Sequence, residues 1–126
     1  MEGNIAITYS IANFPTLRCL EQIRNDVCYH NVNVKIAIIG GGLAYGPLGV
    51  SHQATEDVAI LRGMPNLTIV DPCDAVDIEP AVAQLAAHDG PTYMRILRGK
   101  VPRVLDEYYY TFELGKCYEQ AVKERQ

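Results

Sequence analysis

The sequence has no CxxC pair and no cysteine–histidine spacing of a zinc motif, so Cys19, Cys28, Cys73 and Cys117 suggest neither a metal site nor a thioredoxin-like centre. They read as reduced, mostly buried thiols. Positive charge is not in excess either: 11 Lys and Arg against 15 Asp and Glu give a formal net charge of -4, with no general attraction to nucleic-acid phosphates or anionic lipid. No stretch approaches about 18 uninterrupted apolar residues. The N-terminal Met-Glu-Gly-Asn lacks the basic and apolar regions of a leader, so a soluble, cytoplasmic protein is expected. Neither GxxxxGK[ST] nor GxGxxG occurs, which leaves a nucleotide-binding P-loop or Rossmann fingerprint without support. There is no internal repeat and no biased tract beyond Tyr108-Tyr109-Tyr110.

What is present is a globular composition, 48% hydrophobic and 21% charged in 126 residues, enough for one domain with a real core. Four short apolar, β-branched runs stand out: Asn4 to Ser10, Val34 to Ile39, Leu67 to Val70 and Thr92 to Leu97. Near-continuous runs of this kind suit parallel strands covered on both faces. Helical spacing fills the intervals. From about Pro15 to His30, Leu17, Leu20, Ile23 and Val27 form one stripe. A second helix spans about Thr55 to Arg62, with Glu56 and Asp57 in its first turn, where the helix dipole favours anions. A third follows Asp71-Pro72-Cys73-Asp74 and reaches His88. Pro80 lies inside it, so that helix either starts near Asp77 or kinks. The alternation predicts an α/β fold, an open and mostly parallel four-stranded sheet flanked by helices and joined by right-handed crossovers. From Lys100 onward the alternation stops. Residues 1–99 are read as the domain and 100–126 as a linker or docking tail, with Tyr108 to Phe112 extended and Glu113 to Gln126 mildly helical.

Ligands of open α/β sheets bind beyond the carboxyl ends of the strands, which points to the segment after Ile39. It runs Gly40-Gly41-Gly42-Leu43-Ala44-Tyr45-Gly46-Pro47-Leu48-Gly49-Val50-Ser51-His52-Gln53. His52, just ahead of an acidic helix start, serves either structure or function. A functional role would be that of a neutral hydrogen-bond donor or proton shuttle.

The stretch from Gly42 to Asp57, with Leu61-Arg62-Gly63-Met64-Pro65-Asn66 and Pro72-Cys73-Asp74-Ala75, resembles the central pyrimidine-binding domain of transketolases and deoxyxylulose-phosphate synthases. The family pattern there is approximately GxxxGxDGxTHQxxEDxxxLRxxPNxxVxxPxDA. Glu21 to Asp26, His88 to Arg95 and Phe112 to Lys116 extend the similarity, which is greatest to separately encoded C-terminal halves of transketolase-like proteins. The resemblance implies half of a thiamine diphosphate site. This domain would hold the aminopyrimidine. A diphosphate-binding N-terminal half, in a homo- or hetero-oligomer, would hold the diphosphate and its magnesium. Phe14 is the candidate aromatic on the pyrimidine ring, with Tyr9 second; Phe14 would equally serve as a hydrophobic staple of the first helix. His52 would line the sugar site, and Arg95 or Arg98 would bind a substrate phosphate with its guanidinium fork. No metal ligands are expected in this chain.

Two departures qualify the resemblance. Where the family has GxDG, this chain has Gly46-Pro47-Leu48-Gly49, and Leu48 offers no acceptor for a sugar hydroxyl. The glutamate that activates the aminopyrimidine lies, in relatives, upstream of the first strand seen here, and neither Glu2 nor Glu21 sits in its motif. The first strand–helix unit of the family domain is then missing too, which would expose apolar surface. A part of a thiamine diphosphate-dependent transferase, inactive alone, is therefore expected. The alternative is a non-catalytic remnant or regulatory module that keeps the fold.

Overall fold

The computed structural model describes residues 3–105 and 111–116. Its four strands are β1 (Ala6–Ile11), β2 (Val34–Ile39), β3 (Thr68–Val70) and β4 (Thr92–Ile96), in the order β1-β2-β4-β3 and all parallel. The β-branched runs thus form the expected sheet, with each crossover supplying helices.

Alternation along the strands divides the core. Ile36, Ile38 and Tyr93 point to one face and pack with Ala12, Ile23, Cys28 and Leu61. Val70 and Met94 point to the other face and pack with Ala81 and Leu85 of the long helix. The strand runs are covered on both sides at β2 and β4 but not at β1. There Ile7 is 71% exposed and Tyr9 64%, because β1 is an edge strand and the long helix lies over β3 and β4. The expectation of strands buried on both faces therefore fails for the first run.

The first helical segment differs from a single regular helix. It comprises α1 (Asn13–Arg18), α2 (Leu20–Gln22) and a wide π-helical turn, Ile23–Cys28, where Tyr29 N reaches back to Arg24 O at 3.0 Å. Pro15 is the third helical residue, and its missing N–H falls among those a helix leaves unbonded. The break and the wide turn rotate the apolar stripe. Thr16, Ile23 and Cys28 are buried, while Leu17 is exposed. Helix α3 (Asp57–Leu61) is shorter than its sequence pattern.

Helix α4 (Ala75–Ala87) starts at Ala75 rather than Asp77 and continues through Pro80. Its N-terminus is doubly tied. The Asp74 carboxylate accepts from Val76 N at 2.7 Å, and the Asp77 carboxylate accepts from Cys73 N at 2.8 Å. These caps offset the hydrogen bond lost at Pro80. At the other end Lys35 of β2, buried within an otherwise apolar strand, donates to His88 O at 2.7 Å and Gly90 O at 2.8 Å. Burial pushes its pKa down, opposed by the charge of Asp89.

The described part of the tail is bound to α4. Asp74 Oδ2 also accepts from Val104 N and Leu105 N at 2.6 and 3.0 Å, and the Gln84 amide bonds Phe112 O and Leu114 N. Residues 111–116 form neither strand nor helix. Tyr108 to Tyr110, and the stretch from Cys117 onward, lie outside the described residues. Of the described cysteines only Cys28 is buried; Cys19 and Cys73 are exposed, contrary to expectation, since both sit at helix junctions facing outward.

Candidate functional site

The glycines after β2 make room for side chains rather than for a phosphate. Gly40 has a φ of +75°, a left-handed conformation that suits glycine, and a Cβ there would run into the Tyr45 ring. A Cβ at Gly41 would meet the Arg95 guanidinium. Gly42 and Ala54 then pair as an antiparallel bridge, N to O at 2.6 and 2.9 Å, which closes residues 43–53 into a compact loop. Asn13 at the start of α1 fastens this loop by donating to Val50 O and Ser51 O at 3.2 and 3.1 Å.

This folding brings His52 between two rings. Phe14 meets it edge to face, with centroids 5.1 Å apart, and Tyr45 lies 5.8 Å away on a tilted approach. Each outer ring carries a guanidinium. Arg18 stands 4.4 Å above Phe14 and Arg98 stands 4.5 Å above Tyr45. The result is a row, Arg18, Phe14, His52, Tyr45, Arg98, along the carboxyl edge of the sheet. Cation–π pairs at exposed sites are worth about 0.5–1 kcal/mol each. Ser51 Oγ sits 2.9 Å from His52 Nδ1 and also reaches Leu48 O at 3.4 Å.

Beneath the row lies a buried polar chain. The Tyr93 hydroxyl donates to Asp57 Oδ2 at 2.8 Å and stands 3.1 Å from Thr16 Oγ1, which itself donates to Ala12 O at 2.7 Å. Arg95 Nε lies 3.1 Å from Asp57 Oδ2 as a charge contact without hydrogen-bond alignment, and its Nη1 donates to Asp71 Oδ2 at 2.7 Å. Burial raises the Tyr93 pKa, and both the hydrogen bond to Asp57 and its negative charge raise it further. For Arg95, burial works against the charge, but Asp71 and Asp57 outweigh it and hold the pKa above the ordinary value.

Of the residues singled out from sequence, Phe14, His52 and Arg98 share the ring row, with Arg98 reaching it through Tyr45. Arg95 lies apart, turned toward Asp57 and Asp71. Tyr9 belongs to the sheet face shared by Ala37 and Met94, away from Tyr93 and Arg95. Among the described residues no ring contact joins it to His52. Sequence reasoning gave no role to Tyr45, Ser51, Thr16 or Tyr93. An aromatic residue set within a glycine run was the available signal for Tyr45. The others depend on spatial contacts across the sheet.

Phe14 and His52 are half-buried, Tyr45 is buried, and Arg18 and Arg98 are exposed at the two ends, an arrangement that can receive a flat heteroaromatic group and an anion. Residues 1–103 match the pyrimidine binding domain of transketolases. The chain belongs to that family. It is 54% identical over 110 residues to a transketolase family protein of Sinorhizobium fredii, covering 87% of this chain and 31% of that protein. It is 42% identical over 106 residues to a subunit of the apulose-4-phosphate transketolase of Phocaeicola vulgatus, covering 84% and 34%.

A solved split-gene transketolase, described as an inactive β4 tetramer, superposes with a TM-score of 0.71 at 37% identity, over 93% of this chain and 35% of that one. The transketolase of Campylobacter jejuni shares the fold, with a TM-score of 0.66 at 19% identity over 75% and 15% of the two chains. This transketolase-family chain spans about a third of the length of several curated relatives that it matches. No helix among its described residues is long and apolar enough to cross a membrane.

Proposed function

We propose that the chain forms the pyrimidine side of a thiamine diphosphate site and part of a sugar-phosphate site, in a transketolase-type transferase completed by a second polypeptide. The observation that carries this reading is the edge-to-face contact of Phe14 and His52 at the carboxyl edge of the sheet, with centroids 5.1 Å apart. A partly open aromatic ring fits the aminopyrimidine by stacking. Among the described residues no three His, Cys, Asp or Glu side chains form a metal-binding group, so no metal ligand is assigned to them in this reading. That half of the site falls to a partner with a diphosphate-binding domain.

When bound, thiamine diphosphate supplies a carbon nucleophile for ketol transfer. The residues of this chain do the rest of the local work. Phe14 and Tyr45 exclude water around the imidazole. His52, with Nδ1 turned to Ser51, presents Nε2 to hold or accept a proton at a substrate oxygen. Arg98 is the better phosphate anchor of the two arginines, because it is exposed whereas Arg95 faces Asp57 and Asp71. In this reading the residues named here do not supply the activating carboxylate, and turnover is a property of the completed assembly.

Calorimetric titration of thiamine diphosphate and magnesium into this chain, into a transketolase N-terminal half, and into their mixture tests the reading. Binding by the mixture alone supports it, and a mixture that binds no more than the N-terminal half contradicts it. A second reading, a non-catalytic module that keeps fold and interface, is favoured by Leu48, 54% exposed where the family pattern has an acid. His52→Ala separates the two: turnover by the mixture that falls on substitution supports the enzyme, and an assembly without turnover supports the module.

A further inference from the structure

We infer that the Tyr93 hydroxyl is the positioning group that sets the spacing of the Phe14 and His52 rings. The inference rests on those rings forming the ligand-facing wall, as proposed above. Tyr93 belongs to β4, an interior strand paired on both sides, and is fully buried. Beneath the surface tie from Asn13 to Val50 and Ser51, its hydroxyl joins the helix that carries Phe14 to the helix that follows the His52 loop. Thr16 lies two residues beyond Phe14 on α1, and Asp57 opens α3 five residues after His52. Contacts of 3.1 Å to Thr16 Oγ1 and 2.8 Å to Asp57 Oδ2 therefore clamp both walls to the centre of the sheet.

Asn13 ties the His52 loop to α1 at the surface, and the buried tie below it has few polar contacts of its own. Thr16 has a single hydroxyl proton to divide between Ala12 O and the Tyr93 oxygen. Asp57 Oδ1 is buried without a partner and Arg95 Nε is unaligned, so Tyr93 supplies the aligned hydrogen bond that Asp57 Oδ2 receives from a side chain. With that donor removed, the buried carboxylate retains only its attraction to Arg95. A shift of that carboxylate toward the guanidinium carries the start of α3 with it and changes the position of His52 relative to Phe14. Arg95 in turn packs on Gly41, so the same displacement reaches the glycine turn under Tyr45.

Tyr93→Phe keeps the ring and deletes the hydroxyl. The experiment is a carbon–proton NMR spectrum of the His52 imidazole in the cofactor-free chain, where the Phe14 ring current marks the spacing. The expected result is an unchanged far-UV circular dichroism spectrum with the His52 signals moved toward those of a free histidine. Thr92→Val is the control: it removes a neighbouring buried hydroxyl that has no partner, and should leave the His52 signals in place. Unmoved signals in Tyr93→Phe, or equal movement in the control, overturn the inference.

Should Tyr93→Phe fail to fold, Thr16→Val cuts the α1 side of the clamp and must move the same signals. Their staying put overturns the inference as well. Because no cofactor is present, failure here is distinct from failure of the thiamine diphosphate reading, which the titration judges separately.

Discussion

Ser51 Oγ stands 2.9 Å from His52 Nδ1 and 3.4 Å from Leu48 O. With its proton given to Leu48 O, the hydroxyl would accept from Nδ1–H and favour the tautomer that leaves Nε2 as the open lone pair. The expected outcome of Ser51→Ala is loss of that tautomer preference. A hydrogen bond of this kind is worth about 0.5–1.5 kcal/mol net, so the tautomer ratio should fall by about two- to tenfold. Nitrogen-15 shifts of the imidazole, read above its titration range, measure it.

Arg95 and Arg98 should respond oppositely to substitution. Arg95→Ala strips the counter-ion from Asp57, which is 2% exposed, and should lower unfolding free energy by about 3 kcal/mol in urea titrations. Arg98→Ala leaves the fold near wild-type stability. In the assembled complex it should weaken a sugar phosphate by about 1.5–3 kcal/mol, the range for a hydrogen bond to a charged group. Calorimetry with a sugar phosphate and its dephosphorylated sugar tells them apart, since only the phosphate ester should lose affinity.

Asp74 governs acid stability at the start of α4. Burial alone would raise its pKa, but the N–H groups of Leu105, Val76 and Val104 outweigh it and hold the carboxyl below its ordinary value of 3.8. A carboxylate depressed in the folded state contributes stability that is present above pH 3.8 and lost as pH falls through the folded value. Asp74→Asn should flatten this part of the profile in urea melts between neutral and acid pH. Asp74→Ala should cost about 3 kcal/mol at neutral pH, combining a lost cap with lost charged hydrogen bonds.

Tyr93 has the opposite sign at alkaline pH. Its folded pKa is raised by burial and by Asp57, so its stabilising contribution is complete below its ordinary value of 10 and is lost as pH climbs above it. Lys35, whose pKa is lowered, gains stability over the same range and partly masks the loss. Tyr93→Phe removes the tyrosine contribution alone. The stability difference between wild type and variant should therefore shrink as pH rises from 9 to 11, roughly one unit either side of the tyrosine's ordinary value.

The sheet was legible because β-branched runs and helical spacing are local signals, and all four strands form within two residues of their expected limits. The loop leading to His52 was legible through its resemblance to a family and its place after a strand. The π-helical turn at Ile23–Cys28 was not, since a wide turn shifts the burial phase without a distinctive composition; Leu17, on the stripe that the spacing predicts, is exposed. Lys35 illustrates another limit. A lysine within an apolar run gives no sign that its ammonium caps the carbonyl end of a helix whose last residues lie more than fifty positions away. Thr16, Asp57 and Tyr93 likewise come together only through strand order, because β4 inserts between β2 and β3 and carries Tyr93 beneath both helices.

The central claim is that Phe14 faces the aminopyrimidine of thiamine diphosphate across an interface. Its most direct test is magnetisation transfer between the pyrimidine methyl group of the cofactor and ring protons in the complex of this chain with a transketolase N-terminal half. Transfer to Phe14, abolished along with cofactor affinity in Phe14→Ala, is the predicted result. Cofactor bound to the complex with no transfer to Phe14 would contradict the account.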